Sequence, residues 1–273
     1  MNLDGKLEII GVTDVGRRRA HNEDSIGSDT GLGIAVLADG MGGYRAGEVA
    51  SAMAVNMILD DLREGMKHGK IGDVDEETGF CRETLLIKTA IEKANATIFQ
   101  TAQRQPQCHG MGTTVVAIAF YDDRMSIAHV GDSRMYRLRG GELQQVTSDH
   151  SLLQELIDRG FYTPEEAKKS LNKNLVTRAM GIEMAVIPDL QEDVVQPGDL
   201  YLMCSDGLTD LVEDDVIHET LEEYGENIED AARHLVEKAN AAGGVDNISV
   251  ILVRSLKPFG AQKNWYNKVL DWF

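Results

Sequence analysis

Apolar and polar positions follow two different rhythms along this chain. Leu7 to Val15 and Gly33 to Ala38 are rich in Ile, Val and Leu and stop at turn residues, which predicts strands. A polar stretch, Arg17 to Asp29, separates them. From Arg45 to Arg63 the spacing changes, and Ala46, Val49, Ala50, Met53, Ala54, Met57 and Ile58 recur at helical intervals. A second helix is predicted over Thr84 to Gln103, with Ile87, Ile91, Ala94, Ile98 and Ala102 on one face, and Gly65 to Gly79 reads as the loop between the two.

Short strands then dominate. Thr113 to Tyr121, Met125 to Val130, Arg134 to Arg139 and Leu143 to Val146 are bounded by Asp-Asp, Gly-Asp and Gly-Gly, and Gly140-Gly141 suits a hairpin turn that needs positive φ twice. Ser151 to Gly181 is polar and predicted helical, with Pro164 at a first helical turn. Leu200 to Cys204 and Ile248 to Val253 read as buried strands, and Ile228 to Ala241 as a helix stopped by Gly243-Gly244. The order does not alternate βαβα, so a doubly wound parallel sheet is disfavoured. Two antiparallel sheets covered by helices are expected, in one domain reaching about Leu256.

Composition narrows the function. A chain of 273 residues with 42% hydrophobic residues can bury a core without staples, which excludes whole-chain disorder or a disulfide scaffold. Asp plus Glu number 45 against 27 Lys plus Arg, a net charge of −18 that repels nucleic acid and attracts cations. Cys81, Cys108 and Cys204 form no CxxC pair, Met1 to Ile10 lacks a signal core, and no apolar run suits a transmembrane segment. A cytoplasmic protein is expected.

Several carboxylates sit at strand ends beside glycine, in Val36-Leu37-Ala38-Asp39-Gly40, Ala128-His129-Val130-Gly131-Asp132 and Leu202-Met203-Cys204-Ser205-Asp206-Gly207. Gly243-Gly244-Val245-Asp246-Asn247 precedes a strand. One Asp-Gly alone is a turn. Several together would repel one another without a cation between them, and all-oxygen ligands suit Mg²⁺ or Mn²⁺ over zinc. Asp29-Thr30-Gly31 has the tripeptide of an aspartic protease but lacks the second copy that shares the proton, and Gly110-Met111-Gly112 lacks the lysine of a phosphate loop.

The ordered set Arg19-Ala20-His21-Asn22-Glu23-Asp24, Asp39-Gly40-Met41-Gly42-Gly43, Gly110-Met111-Gly112-Thr113-Thr114, Gly131-Asp132-Ser133-Arg134, Ser205-Asp206-Gly207-Leu208 and Asp246-Asn247 resembles the bacterial metal-dependent protein phosphatases of type 2C. The resemblance spans roughly Leu7 to Arg254. It implies an α+β fold, a four-layer αββα sandwich of two antiparallel β-sheets flanked by helices, occupying residues 1–256 with a flap at about 151–181. It implies hydrolysis of phosphoserine and phosphothreonine by a water that bridges two Mn²⁺ or Mg²⁺ ions, with a third, weaker ion. By resemblance, Asp39 bridges the two ions, the Gly40 carbonyl contacts the second, and Asp206 and Asp246 complete the shell of the first. Glu23 and Asp24 hold the second ion, Asp132 with Asp206 matches the third, and Arg19 binds the phosphate.

Met41 stands where some relatives carry a histidine proposed as the leaving-group acid, so that acid is unassigned, with His21 and His150 as candidates by sequence place alone. Phosphorylated proteins are the implied substrates, within a Ser/Thr kinase pathway. The rival readings are a non-catalytic phosphoprotein-binding relative of the same fold and a phosphatase for small molecules. Residues 257–273 lie beyond the resemblance and hold both tryptophans, Trp265 and Trp272; docking on the protein itself, on a partner protein or on a membrane surface are the competing readings, and a docking element that localises the protein is expected.

Overall fold

The structure, a computed structural model, describes residues 2–42, 46–163, 166 and 175–260. Two antiparallel sheets stack face to face. One has the order β1 (Leu7–Asp14), β11 (Ile248–Ser255), β10 (Leu200–Cys204), β7 (Arg134–Arg139) and β8 (Glu142–Gln145). The other has the order β2 (Asp24–Asp29), β3 (Ile34–Met41), β5 (Val115–Tyr121), β6 (Arg124–Val130) and β9 (Asp189–Val194), with the short β4 (Gly112–Thr113) paired to the end of β3. Helices α1 (Ala46–Gly65) and α2 (Arg82–Arg104) cover the second sheet; α5 (Asp214–Tyr224) and α6 (Ile228–Ala241) cover the first. The four-layer sandwich expected from the sequence is the observed architecture.

Strands buried on both faces explain the unbroken apolar runs. Along β3, Ile34, Val36 and Ala38 face α1 and α2, while Ala35 and Leu37 face the other sheet. Along β10, Leu200, Leu202 and Cys204 face α5 and α6, while Tyr201 and Met203 point inward. The layer between the sheets is closed by an edge-to-face contact of Phe120 with Tyr201, ring centroids 5.5 Å apart, and by Phe259.

Five segments differ from the sequence reading. The polar stretch before Asp29 contains a strand, β2, which is polar because it lies at a sheet edge and takes its register from β3. The edge strand β9 and helix α5 were likewise hidden by their polar faces. The expected strand from Thr113 breaks at Thr114 into β4 and β5. Of the helix expected over Ser151 to Gly181, the described residues contain α3 (Leu152–Asp158), started by the Ser151 hydroxyl accepting from the Gln154 N–H, and a helical Glu166, whose N–H donates to the Thr163 hydroxyl. Residues 175–181 return as extended chain, bridging Val176 to Ser151 and Met180 to Thr113. Pro164 lies outside the described residues, as do residues 261–273 of the tail.

The fold brings α1 unusually close to β3. A Cβ on Gly47, the second residue of α1, would lie 2.8 Å from both the carbonyl carbon and oxygen of Gly40 and 2.9 Å from the Met41 nitrogen. Backbone cannot yield as a side chain does. On an open helix Gly→Ala stabilises by up to about 1 kcal/mol. Gly47→Ala is expected to do the reverse, costing roughly 1–3 kcal/mol as overpacking, read as a lower urea midpoint. A raised midpoint would show that the two segments do not meet.

Candidate metal and phosphate site

The site lies at one end of the sandwich, where strands of both sheets stop. Asp39, on β3, pairs directly with Asp24 on β2. Asp206 opens the four-residue helix α4 (Asp206–Thr209) immediately after β10, and Asp246 stands two residues before β11. Asp132 sits in the β6–β7 connection. Asp24, Asp39, Asp132, Asp206 and Asp246 perturb one another electrostatically, so five strand-end segments converge on one acidic cluster.

Neutral groups hold these carboxylates by their backbones. The Asp39 N–H donates to the Thr114 hydroxyl at 3.1 Å, and the Asp39 carbonyl accepts from the Thr114 N–H and the Thr113 hydroxyl, each at 2.8 Å. The Ser205 hydroxyl donates to Asp24 at 2.9 Å. Asn247 accepts from the Glu23 N–H at 2.8 Å and donates to the carbonyls of Val15 and His21 at 3.0 and 2.9 Å, so it aligns the Glu23 loop beside Asp246. A Cβ on Gly40 would collide with the carbonyls of Gly47 and Glu23, which is why glycine follows Asp39. Sequence reasoning gave Thr113, Thr114, Ser205 and Asn247 no role. Only their place inside the quoted motifs pointed to them.

Burial and mutual repulsion dominate the electrostatics. Burial first, then Asp24, Asp206 and Asp132, raises the Asp39 carboxyl well above the carboxylate range. Burial, with Asp132 and Asp210 next, pushes Asp206 up to about 8. Burial, with Asp149 next, pushes Asp132 up to about 6. Asp24 is raised by burial despite its hydroxyl partners, and Glu23 by burial against the opposing pull of Arg19. Arg19 donates to Asp246 at 2.6 Å and is half exposed on the rim. Its neighbours Arg17 and Arg18 donate their backbone N–H groups to the Gly244 carbonyl.

All the sequence-predicted acidic residues are thus brought to one end of the fold, with Arg19 on Asp246. The donor set fits hard divalent cations. Every group is oxygen, the ensemble carries more negative charge than its buried surroundings tolerate, and Asp24 Oδ1 is buried without a hydrogen-bond partner. Of the two histidines proposed as acids, His21 is exposed and held through its carbonyl by Asn247. His150 is buried behind the Asp132 turn, its ring nitrogen accepting from Gly131, and does not reach the pocket mouth as a proton donor.

Comparison with known proteins agrees with this geometry. The family model described as protein phosphatase 2C matches residues 15–240. The chain is 40% identical over 243 residues to the serine/threonine protein phosphatase PstP of Mycobacterium tuberculosis, covering 88% of this chain but only 43% of that one. It is 40% identical over 244 residues to the serine/threonine phosphatase stp of Listeria monocytogenes, covering 88% and 93%. It superposes on the crystal structure of the PstP catalytic domain in complex with two manganese ions with a TM-score of 0.78 and 36% identity, covering 92% and 99%.

The raised carboxyls predict a pH signature of the metal-free protein. Folded Asp206 keeps a proton that the unfolded chain, at 3.8, has released by neutral pH. Stability is therefore fully present below the unfolded value and is lost as pH rises through about 8. Melting temperatures of chelator-treated protein should fall from about pH 5 to about pH 8, and saturating Mn²⁺ should flatten the slope by replacing the proton. A flat profile without metal would show that the carboxylates do not burden one another.

Proposed function

The chain belongs to the protein phosphatase 2C family, and we propose that it is a metal-dependent serine/threonine protein phosphatase acting on phosphoserine and phosphothreonine. One observation carries the reading: the clustered carboxylates, with an unpartnered oxygen on Asp24, lie within electrostatic reach of one another and of Asp246, which holds the half-exposed guanidinium of Arg19. Asp39, the Gly40 carbonyl, Asp206 and Asp246 would hold two divalent ions, Mn²⁺ or Mg²⁺, with Glu23 and Asp24 supporting the second and Asp132 with Asp206 a weaker third. Such ions, when bound, lower the pKa of water and neutralise developing charge on a phosphoryl group.

The chain's own part is binding and orientation. Thr114 and Thr113 fix Asp39 by its backbone, so its two oxygens are aimed without loss of side-chain freedom at the moment of reaction. Arg19 is the phosphate ligand in this reading. Its fork matches two phosphoryl oxygens, and on the rim an incoming phosphoester can compete with Asp246 for it. Beside the returning limb of the flap lies a largely apolar groove of about 360 Å³, lined by Ile182, Val186 and Ile187 with Arg178 and Glu183 among others, a surface suited to side chains of a protein substrate.

A non-catalytic binding relative would be expected to have lost acidic ligands, and the whole set is present. Residues 1–256 are taken as the catalytic domain; of the tail from 257, Phe259 packs into the body between the sheets, and the remainder is read as a docking element for a partner. The tail beyond 260 lies outside the described residues, and its aromatic composition is what supports that role. A Ser/Thr kinase pathway follows from the activity. Among the described residues no helix is long and apolar enough to cross a membrane, and the three cysteines are buried free thiols, which supports a cytoplasmic setting.

Hydrolysis of p-nitrophenyl phosphate should require Mn²⁺, stop with EDTA, and fall about 100-fold or more in Asp39→Asn, the scale of losing one main electrostatic contact with the transition state. Phosphothreonine peptides should be turned over faster than sugar phosphates. A folded, Mn²⁺-loaded protein that hydrolyses none of these would be a binding module.

A further inference from the structure

Behind the Asp132 turn lies a second cluster that the phosphatase reading leaves unused. His129 on β6, His150 and Asp189 on β9 bring three donor groups within 4.8 Å of one another. The two imidazoles stack at 4.6 Å. His129 Nδ1 and His150 Nε2 are buried with no hydrogen-bond partner. The spacing alone suggests a metal site, but the hydrogens argue against one. The Gly131 N–H can only donate, so His150 Nδ1, 3.1 Å away, must be the bare nitrogen and Nε2 must carry the hydrogen. A nitrogen that carries hydrogen cannot be a ligand. Nε2–H faces Asp189 Oδ2 at 3.3 Å, close enough for attraction although poorly aligned for a hydrogen bond. Asp189 is itself held by Arg178 at 2.7 Å.

The bonds around His150 have a different logic. Its Nδ1 accepts from the Gly131 N–H, and its own N–H donates to the Gly131 carbonyl at 2.9 Å. The peptide units on both sides of Gly131 are therefore gripped by one residue, immediately before Asp132. Gly131 has φ +110°, and a Cβ there would lie 2.6 Å from the Thr114 side chain, so the turn is confined from the opposite side as well. The His150 carbonyl accepts from the Thr177 N–H at 2.8 Å, and the next residue, Ser151, starts the flap helix.

We propose that His150 is a positioning residue for Asp132, holding the Gly131–Asp132 turn by its Nδ1 lone pair and backbone N–H while its carbonyl fastens the returning limb of the flap. The proposal rests on the reading of Asp132 as ligand to the weaker third cation. It makes the neutral imidazole, with the hydrogen on Nε2, the working form. Burial beside His129 and Arg178 favours that form by pushing the ring down to about 4. It also joins the flap and the Asp132 turn at one residue, so a displacement of either is felt by the other.

The test uses the full chain and Mn²⁺ alone, followed by titration calorimetry. His150→Leu keeps the bulk and removes the acceptor; His150→Asn places an amide oxygen near the Nδ1 position and restores it. Asp132→Asn serves as the reference that removes the weakest Mn²⁺ event. His150→Leu should weaken that event about tenfold, the scale of leaving a buried N–H unpaired, with the two tighter events unchanged. His150→Asn should bind close to wild type. If the Leu variant does not fold, His150→Gln takes its place, since its amide reaches the Nε2 position and should fail to rescue. Unchanged weak binding in the Leu or Gln variant, or an Asn variant no better than them, overturns the proposal. A wild-type protein with no event sensitive to Asp132→Asn overturns the assignment of Asp132 and the proposal with it, while leaving the two-ion phosphatase reading standing on the other carboxylates.

Discussion

The structure depends on an electrostatic conflict. Asp24 and Asp132, buried, and Asp39 and Asp206, half-buried, crowd together at the end of a sandwich whose core is mostly apolar. Like charges in such surroundings destabilise the folded chain unless protons or cations intervene. The described residues near the cluster supply two guanidinium groups, and neither neutralises its centre. Arg19 sits on Asp246 at the rim, and Arg134 is taken up by a bidentate contact with Asp149 and by Tyr136. The fold therefore spends hydroxyls and amides on the carboxylates, from Thr114, Thr113, Ser205 and Asn247, which fix position without cancelling charge. That combination, rigid geometry with uncancelled charge, distinguishes a binding site from a structural ion-pair network.

How much of this was legible in the sequence divides along a physical line. Strands buried on two faces, such as β5, β10 and β11, announce themselves as apolar runs, and α6 announces itself by its periodic Ala and Leu and by Gly243-Gly244 after its end. Asp39, Asp132, Asp206 and Asp246 were visible because each adjoins such a strand, whereas Glu23 and Asp24, at the start of the polar β2, came only through the resemblance. Edge strands were not visible. β2 reads Asp-Ser-Ile-Gly-Ser-Asp, and its extended form comes from pairing with β3, a partner local sequence does not contain. β9 and α5 failed for the same reason, having one solvated side.

Within the site, the anionic residues were legible and their supports were not. A single aspartate beside glycine reads as a turn, and it was the repetition at the ends of apolar strands that marked these residues. A threonine at a strand start has an ordinary explanation, so Thr114 gave no sign that its hydroxyl would meet the Asp39 N–H from 75 residues away. His150 was noticed for the wrong reason. As an acid it would need a path to solvent or substrate, and its ring is instead an acceptor under the Gly131 turn.

The ligand set is divided between the two sheets. Asp24 and Asp39 belong to β2 and β3, whereas Asp206 and Asp246 adjoin β10 and β11 of the opposite sheet. The layer that joins the sheets elsewhere is side-chain packing, which slides more readily than a hydrogen-bonded ladder. A cation held from both sides acts as a rivet through that seam. Without it, like charges repel one another across the seam, and only the apolar layer between the sheets opposes them. With it, separating the sheet ends would also mean breaking coordinate bonds. The same ions that would serve the chemistry would thereby stiffen the seam at the end of the molecule where the carboxylates must keep their places.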